Sequence, residues 1–376
     1  FTPLFNSIKN GLELKISIFE SGKKVAEAKS LASDGIPLSC DIRKVRPWSP
    51  ESPFLYDISF EVLDGGKVVD RVKSYAGIRK IHIEGNKIFL NNATLYLRMV
   101  LDQGFYPDGI WTAPSDNALK KDIELSLKAG FNGARLHQKV FEERFHYWAD
   151  KLGYLTWAEF PSWGADETQQ IPARNIISEW AEVVSRDMNH PSIIAWTPLN
   201  ETSRFGDGIQ HKRLHCDIYS ITKAIDPSRP VNETSGYIHV KTDLWTVHNY
   251  QQDPDLLKKE LSPDKEKGVW RNYPDKEAEY TGQPYLVDEF GGIKWVPNEP
   301  FAENSWGYGQ GPKSIEEFYS RLEGIVNAIL EQRHICGYCY TQLTDVEQEQ
   351  NGIYNYDRSE KFNMKKISKI FARQNI

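Results

Sequence analysis

Two glutamates stand at the ends of apolar runs in this 376-residue sequence. Glu201 follows the run at residues 193–199, and Glu289 follows the run at residues 285–288. A carboxylate at the end of an otherwise apolar strand is costly unless it is paired or functional. Two carboxyl groups that face each other at about 5 to 5.5 Å can hydrolyse a glycosidic bond with retention of configuration, because one protonates the leaving oxygen while the other attacks the anomeric carbon. We therefore expect Glu201 and Glu289 to form a reactive pair.

Four further polar side chains lie at or just past predicted strand ends. Arg135 could hold Glu289 ionised, since an opposite charge lowers the pKa of a carboxylate; the alternative is a surface ion pair. Tyr250 could donate its hydroxyl to Glu289 and orient it; the alternative is an aromatic side chain packed in a loop. His137 and Asp102 are candidates for binding sugar hydroxyls.

Other reactive residue types receive structural interpretations. Asp288 precedes the second glutamate in the same strand and is expected on the opposite face, which indicates a structural role. His211 and His215 fall in a predicted helix, where a solvated face is favoured over a metal site. Cys336 and Cys339 face opposite sides of a predicted strand, which favours barrel packing over metal or redox use. The sequence therefore predicts no metal and no cofactor.

The elements that position these residues change character along the chain. Residues 12–75 alternate apolar and polar side chains with period two, interrupted by glycine-containing turns, and predict about six short antiparallel strands. This pattern indicates a small all-β, immunoglobulin-like sandwich over residues 1–78. Beyond it, apolar strand runs alternate with helical segments in eight units, which predicts a (β/α)₈ TIM barrel over residues 79–376 and an α/β fold. In such a barrel the reactive side chains come from the carboxyl ends of the strands.

Composition narrows the class of protein and its partners. The net charge is 46 minus 52, or -6, with no block of basic residues, which argues against a partner that is nucleic acid or a membrane surface. Four cysteines are too few for a disulfide framework. The chain begins with Phe1, so we expect further chain upstream. The sequence does not decide the cellular compartment, although a bacterial periplasmic or secreted location is slightly favoured. A homo-oligomer is possible.

Two stretches resemble a known family. Residues 189–201 and 284–291 look like the two signature stretches of glycoside hydrolase family 2, the β-galactosidase and β-glucuronidase family. The resemblance extends through Arg79, residues 131–135 and residues 147–153, so it covers most of the chain. It implies an immunoglobulin-like domain in the first 77 residues, followed by the catalytic barrel, with the family's sugar-binding jelly roll expected before Phe1.

The resemblance also implies roles for individual residues. Glu201 would be the general acid/base, Glu289 the nucleophile, and Asn200 the partner of the sugar 2-hydroxyl. The family commonly has a tryptophan on strand eight as the floor under the sugar, whereas this sequence offers Tyr340 or Gln342 there.

Residues 345–350 bear on the identity of the sugar. They lack the Asn-x-Lys pair with which glucuronidases grip a carboxylate, and their acidic side chains would repel a uronate. We expect a retaining exo-β-glycosidase that acts on a carbohydrate substrate, with a β-galactoside favoured. The alternatives are a β-glucuronide or another β-linked sugar, and a catalytically impaired carbohydrate-binding fragment.

Overall fold

The computed structural model describes residues 1–203, 208–296 and 304–374. The chain divides into two compact units, one of Phe1–Arg79 with Asn189–Pro191 and one of Lys80–Met188 with Ser192–Ile376. The short segment Asn189–Pro191 therefore belongs in space to the first unit, although the sequence places it far down the chain.

The first unit is built on one antiparallel sheet of four strands in the order β2-β1-β3-β4. The strands are β1 (Glu13–Glu20), β2 (Lys23–Leu31), β3 (Tyr56–Asp64) and β4 (Lys67–Ala76). Their period-two pattern places Leu14, Ile16, Ile18, Tyr56 and Ile58 together in a buried cluster. Alternation of side chains across a strand puts every second residue on the same face, which is why the sequence pattern located this sheet correctly.

The predicted count of about six strands is too high for this unit. Residues 32–55, which the structure describes completely, hold only an isolated bridge between Ser49 and Ser52. Four prolines in this segment cannot donate to a ladder, at positions 37, 47, 50 and 53. Irregular segments instead supply the second layer, because Phe5, Leu38 and Phe54 pack against the cluster of the sheet.

The second unit begins with a small antiparallel sheet of β5 (Ile81–Glu84), β6 (Lys87–Leu90) and β7 (Ala93–Thr94). Its first turn contains Gly85 at a φ of 59°, a conformation that glycine adopts without steric cost. Strands β5 and β6 pair across this turn as an antiparallel hairpin.

A seven-stranded parallel sheet forms the core of the second unit. Its order is β11-β10-β9-β8-β14-β13-β12. The strands are β8 (Leu97–Asp102), β9 (Gly133–Leu136), β10 (Leu155–Glu159), β11 (Ile193–Thr197), β12 (Trp245–Asn249), β13 (Tyr285–Gly291) and β14 (Ile335–Thr341). Helices cover such a sheet, so its strands are largely apolar, as the sequence runs indicated.

Helices alternate with these strands and bury one apolar face each. They are α1 (Asp116–Lys128), α2 (Glu143–Leu152), α3 (Gln170–Asp187), α4 (Gly208–Ile225), α5 (Pro254–Leu261), α6 (Ile315–Leu330) and α7 (Met364–Phe371). Within the described residues, every helix is too short or too polar to cross a bilayer. The alternation confirms the predicted TIM-barrel type of α/β fold.

The fifth of the eight predicted strand–helix units is irregular. Residues 231–235 run parallel to β11 through bridges from Val231 to Trp196 and from Ser235 to Asn200, with bends at residues 233–234. No helix occurs in residues 236–244, all of which the structure describes. This segment lies between β11 and β12 along the chain and delivers polar, buried side chains where a regular strand would deliver apolar ones.

Candidate active site

The carboxyl ends of the parallel strands bring the two predicted glutamates together. Glu289 lies in β13 and Glu201 follows β11, and one oxygen of each carboxylate lies within 4.8 Å of the other. A separation of this order is shorter than the roughly 6.5 to 9.5 Å that leaves room for an attacking water molecule between two carboxyl groups.

Glu289 is buried and held by three partners, one in β9, one in β12 and one just past the end of β12. Arg135 Nη2 in β9 donates to Oε1 at 2.5 Å, and the Tyr250 hydroxyl donates to Oε2 at 2.6 Å. His248 Nδ1 in β12 lies 3.3 Å from Oε2. Burial raises the pKa of Glu289, but the charges of His248 and Arg135 outweigh it and lower the pKa to about 2. Glu289 is therefore ionised at neutral pH.

Glu201 has a different environment. Its side chain is 24% exposed, and its backbone has a φ of 51°, which is uncommon for a residue with a side chain. The backbone N–H donates to Ser235 O at 3.0 Å, so the irregular segment 231–235 fixes this conformation. His248 Nδ1 lies 2.8 Å from Glu201 Oε1.

His248 bridges the two glutamates as a cation. Nδ1 donates to Glu201, because a carboxylate only accepts hydrogen bonds. Nε2 lies 3.0 Å from Ser235 Oγ, whose own proton is donated to Asp288 Oδ2 at 2.6 Å, so Nε2 must also donate. Burial lowers the pKa of His248, but Glu289, Asp288 and Glu201 together raise it to about 9. The geometry and the pKa agree on an imidazolium.

Arg135 is the central positive charge beneath this pair. Its side chain is fully buried, and it forms ion pairs with Glu159 at 2.9 Å, with Asp288 at 3.5 Å and with Glu289 at 2.5 Å. Burial would lower the pKa of Arg135, but these three carboxylates raise it well above its usual value. The alternative of a surface ion pair, which the sequence left open for Arg135, is wrong.

Asp288 does not lie on the face opposite Glu289, and the period-two expectation is wrong at this position. The pairing of β12 with β13 shifts between Val247 and His248, so that Val247 pairs with Val287 and His248 with Glu289. The extra residue in β13 is Asp288, and a bulge of this kind re-aims a side chain. Its carboxylate contacts Ser235, Arg135 and His248, which gives it a part in positioning these groups.

Asn200 and His137 lie within the same group of contacts. Asn200 Oδ1 accepts from Arg135 Nη2 at 3.4 Å, while its Nδ2 is buried and has no hydrogen-bond partner among the described residues. His137 Nδ1 lies 2.7 Å from Arg135 Nη2 and 3.1 Å from Glu159 Oε1. The free amide hydrogens of Asn200 are available to an oxygen of a bound ligand.

Two residues that the sequence predicted to bind the ligand, Asp102 and Tyr340, do not belong to this group of contacts. Asp102 is buried and accepts from the backbone N–H of Gly104 at 2.9 Å, and burial with the nearby Asp122 raises its pKa to about 7. Tyr340 cannot form the floor under a sugar, because its ring is fully buried against Phe290 and Phe371 in the layer between strands and helices. In β14 the residue that points inward next to the mouth is Thr341, whose hydroxyl lies 3.0 Å from the Tyr250 hydroxyl.

Sequence reasoning missed several residues that contact the two glutamates or their partners, among them His248, Glu159 and Tyr308. His248 and Glu159 are polar residues at the ends of β12 and β10, so the rule that selected the two predicted glutamates would also have selected them. Tyr308 stacks on Tyr250 with ring centroids 3.4 Å apart, but it lies in a segment without strand or helix, where the sequence pattern carries no signal.

The solvated face expected for His211 and His215 is also wrong. Both side chains are buried, and His215 Nδ1 lies 3.5 Å from Glu233 Oε1 in the segment 231–235. Cys336 and Cys339 are buried free cysteines.

Donor atoms gather closely enough for a metal ion at one place in the described residues, namely Glu201, His248 and Glu289. A protonated ring nitrogen donates a hydrogen bond and offers no lone pair to a metal. In this structure the His248 imidazolium supplies the positive charge of the group, with Nδ1 at 2.8 Å from Glu201 Oε1 and 3.3 Å from Glu289 Oε2.

Comparison with protein families gives matches over both units. Residues 81–298 match the model described as glycosyl hydrolases family 2, TIM barrel domain. Residues 6–79 match the model described as glycosyl hydrolases family 2.

Individual relatives and a solved structure agree with these matches. A β-galactosidase of Pseudoalteromonas haloplanktis is 27% identical over 269 residues, which cover 66% of this chain and 25% of that protein. A β-galactosidase of Lactococcus lactis subsp. lactis is 30% identical over 227 residues, covering 57% of this chain and 22% of that protein. The structure of a β-glucuronidase from Ruminococcus gnavus in complex with D-glucuronic acid has a TM-score of 0.78 at 20% identity and covers 96% of this chain and 63% of that one. The chain thus spans a quarter or less of the length of these two curated relatives.

Proposed function

Because the chain belongs to glycosyl hydrolase family 2, we propose that it is a retaining exo-β-glycosidase in which Glu289 is the nucleophile and Glu201 the general acid/base. The proposed substrate is a terminal β-linked sugar, with a β-galactoside preferred.

The observation that carries this proposal is the contrast between two neighbouring carboxylates. Their oxygens lie within 4.8 Å of each other, yet Glu289 is buried beside two cations while Glu201 is partly exposed and contacts His248. Retaining hydrolysis needs one carboxylate that stays ionised and one that gains and loses a proton.

The proposed reaction has two displacements. In the first, a Glu289 oxygen attacks the anomeric carbon while Glu201 gives its proton to the glycosidic oxygen, so the bond between that carbon and the leaving group breaks and a glycosyl ester forms. In the second, the Glu201 carboxylate takes a proton from water, the water oxygen attacks the anomeric carbon, and Glu289 leaves as a carboxylate. The unpaired Nδ2 of Asn200 is suited to donate to the sugar 2-hydroxyl oxygen.

His248 has a positioning part in this scheme. Its Nδ1 hydrogen lies between Glu201 Oε1 at 2.8 Å and Glu289 Oε2 at 3.3 Å, so it holds a proton within reach of the acid/base and offsets the negative charge of the pair. Two unshielded carboxylates at this distance would repel each other and could not both remain ionised.

The preference for a neutral sugar rests on the described charges around the mouth. Arg135 is already engaged by three carboxylates, and Lys361 pairs with Asp345 at 2.7 Å. Neither cation is therefore available to bind a sugar carboxylate.

The test is a panel of nitrophenyl β-glycosides, including galactoside and glucuronide, with the stereochemistry of the first-formed sugar followed by ¹H NMR. We expect hydrolysis of the galactoside with release of the β-anomer. Release of the α-anomer would contradict the double displacement, and hydrolysis of the glucuronide alone would contradict the preference for a neutral sugar.

A further inference from the structure

Four side chains form a closed ring of hydrogen bonds at the carboxyl ends of β8 and β14. Gln103 Nε2 donates to Glu349 Oε2 at 3.0 Å and to Gln342 Oε1 at 2.8 Å. Gln342 Nε2 donates to Asn351 Oδ1 at 2.9 Å, and Asn351 Nδ2 donates to Glu349 Oε1 at 3.2 Å. We call these four residues the Glu349 ring.

The Glu349 ring lies at the same end of the sheet as the two glutamates proposed to be catalytic. Gln103 directly follows β8, and Gln342 directly follows β14. Thr341, the residue before Gln342, contacts the Tyr250 hydroxyl that donates to Glu289. Glu349 is also bridged in the backbone to Trp306, whose ring contacts that of Tyr308. Continuous contacts therefore join the ring to Glu289.

The Glu349 ring and Glu201 lie at the ends of strands that are not neighbours in the sheet. Glu201 follows β11, and the sheet places β10 and β9 between β11 and β8. The general acid must face the leaving group, so the part of the sugar most distant from the scissile bond faces the side of β8 and β14. That part carries the hydroxyls remote from the anomeric carbon and the C6 substituent.

Glu349 is the one charged member of the ring. Each of its oxygens accepts one hydrogen bond within the ring, and a carboxylate oxygen can accept another. Among the described residues, no Lys or Arg side chain lies within 4.0 Å of this carboxylate. It can therefore accept hydrogen bonds from sugar hydroxyls, and its negative charge opposes a second carboxylate beside it.

We propose that Glu349 is a specificity-determining residue that accepts hydrogen bonds from hydroxyls at the non-reducing end of a neutral sugar and excludes sugars with a carboxylate at C6. This inference rests on the proposed function, because it names the class of sugar bound in the same site. Gln103, Gln342 and Asn351 hold the carboxylate in place by donating to it or to one another.

The experiment compares Glu349→Gln with Glu347→Gln, a matched control in the same loop whose side chain is exposed and outside the ring. The kcat/KM is measured for nitrophenyl β-galactoside and nitrophenyl β-glucuronide. We expect Glu349→Gln to raise the glucuronide-to-galactoside ratio of kcat/KM at least about tenfold, and Glu347→Gln to leave the ratio within about twofold of wild type. An unchanged ratio in Glu349→Gln, or the same change in both variants, would overturn the inference.

A second variant separates charge from fit. Glu349→Asp keeps the negative charge but withdraws it from the ring, so it should weaken galactoside hydrolysis and still exclude the glucuronide. A gain of glucuronide hydrolysis in Glu349→Asp would contradict the charge argument, even if Glu349→Gln failed to fold.

Failure of the proposed function gives a different result. If the wild-type chain hydrolyses neither glycoside, calorimetric titration of galactose and of glucuronate into wild type, Glu349→Gln and Glu347→Gln replaces the kinetic ratio. Preference for galactose that is reduced only in Glu349→Gln supports the role of Glu349 in a protein without turnover. Equal preferences in all three proteins overturn it.

Discussion

Among the described residues of the second unit, two clusters in which histidines contact glutamates differ in their access to solvent. The mouth cluster contains Glu201, His248 and Glu289. The outer cluster contains Glu233 with His215 and His239, where His239 Nδ1 lies 3.1 Å from Glu233 Oε2. In both clusters a glutamate has a lowered pKa and a histidine a raised one, because the opposite charges outweigh the effect of burial.

The two clusters differ in how far their glutamates are buried and in how many hydrogen bonds their carboxylate oxygens accept. Glu233 is fully buried, and its Oε1 accepts from the backbone N–H groups of Val240 at 2.6 Å and Lys241 at 3.1 Å. Glu201 is partly exposed, and the amide of Asn200 beside it has an unpaired nitrogen. A shifted pKa thus marks both clusters, whereas access and unused hydrogen-bonding capacity mark the mouth cluster as the place for a ligand.

The largest expected effect is that of Glu289→Gln on turnover. The amide keeps the shape of the side chain but cannot attack the anomeric carbon, so kcat on an aryl β-galactoside should fall by a factor of about 10⁴ or more. Mass spectrometry of the wild type with a slow substrate should detect the glycosyl ester, and the variant should not form it. Activity within tenfold of wild type would assign the nucleophile elsewhere.

Glu201→Ala should have an effect that depends on the leaving group. A dinitrophenyl group departs without protonation, so its release should slow little in the first step. Release of an alkyl group needs the proton and should slow by a factor of about 10² to 10⁴. The measurement is kcat/KM for a series of aglycones of rising pKa. An equal loss across the series would contradict the role of Glu201 as the acid.

The strength of the sequence pattern decided how much of the mouth cluster was predictable. Glu201, Glu289 and Arg135 stand at or near the ends of largely apolar runs, which buried parallel strands require. The bulge at Asp288 and the bends at residues 233–234 leave no trace in periodicity, because they depend on contacts between distant segments. The contact between Glu349 and Gln103 in the Glu349 ring forms because an irregular loop folds back. The sequence therefore showed that this loop is acidic, but it could not show which side chains hydrogen-bond to Glu349.

His248→Gln should change the pH dependence more than the rate. Removing the imidazolium removes one of the two main charges, with that of Arg135, that outweigh burial and lower the pKa of Glu289 to about 2. That pKa should therefore rise, and the acidic limb of the kcat/KM profile should move to higher pH by about one unit. Tyr250→Phe is the control, since it removes an uncharged donor and should shift the limb less. A uniform loss of activity without movement of the limb would indicate that His248 serves packing only.

The smallest expected effect on turnover is that of Glu233→Gln, which should instead unfold the protein more readily. His239 would lose the carboxylate that raises its pKa, and breaking a buried ion pair of this kind costs about 3 to 5 kcal/mol. Because the pKa of Glu233 is lowered in the folded state, its contribution to stability is present above its unfolded pKa and is lost as the pH falls through the folded one. Because the pKa of His239 is raised, its contribution is present below its unfolded pKa and is lost as the pH rises through the folded one.

The difference in unfolding free energy between wild type and Glu233→Gln should therefore be largest at pH values between the unfolded pKa of Glu233 and the unfolded pKa of His239. It should become smaller as the pH falls into the acid range. Urea unfolding followed by tryptophan fluorescence across pH measures it, with kcat on an aryl β-galactoside recorded in parallel. A large fall in kcat at unchanged stability would make the outer cluster part of the catalytic machinery and would remove the distinction between the two clusters. Unchanged turnover in a less stable protein would instead show that the outer cluster serves the stability of the fold. The Glu233 carboxylate is enclosed and its oxygens are occupied, so it has no remaining means of acting on a substrate.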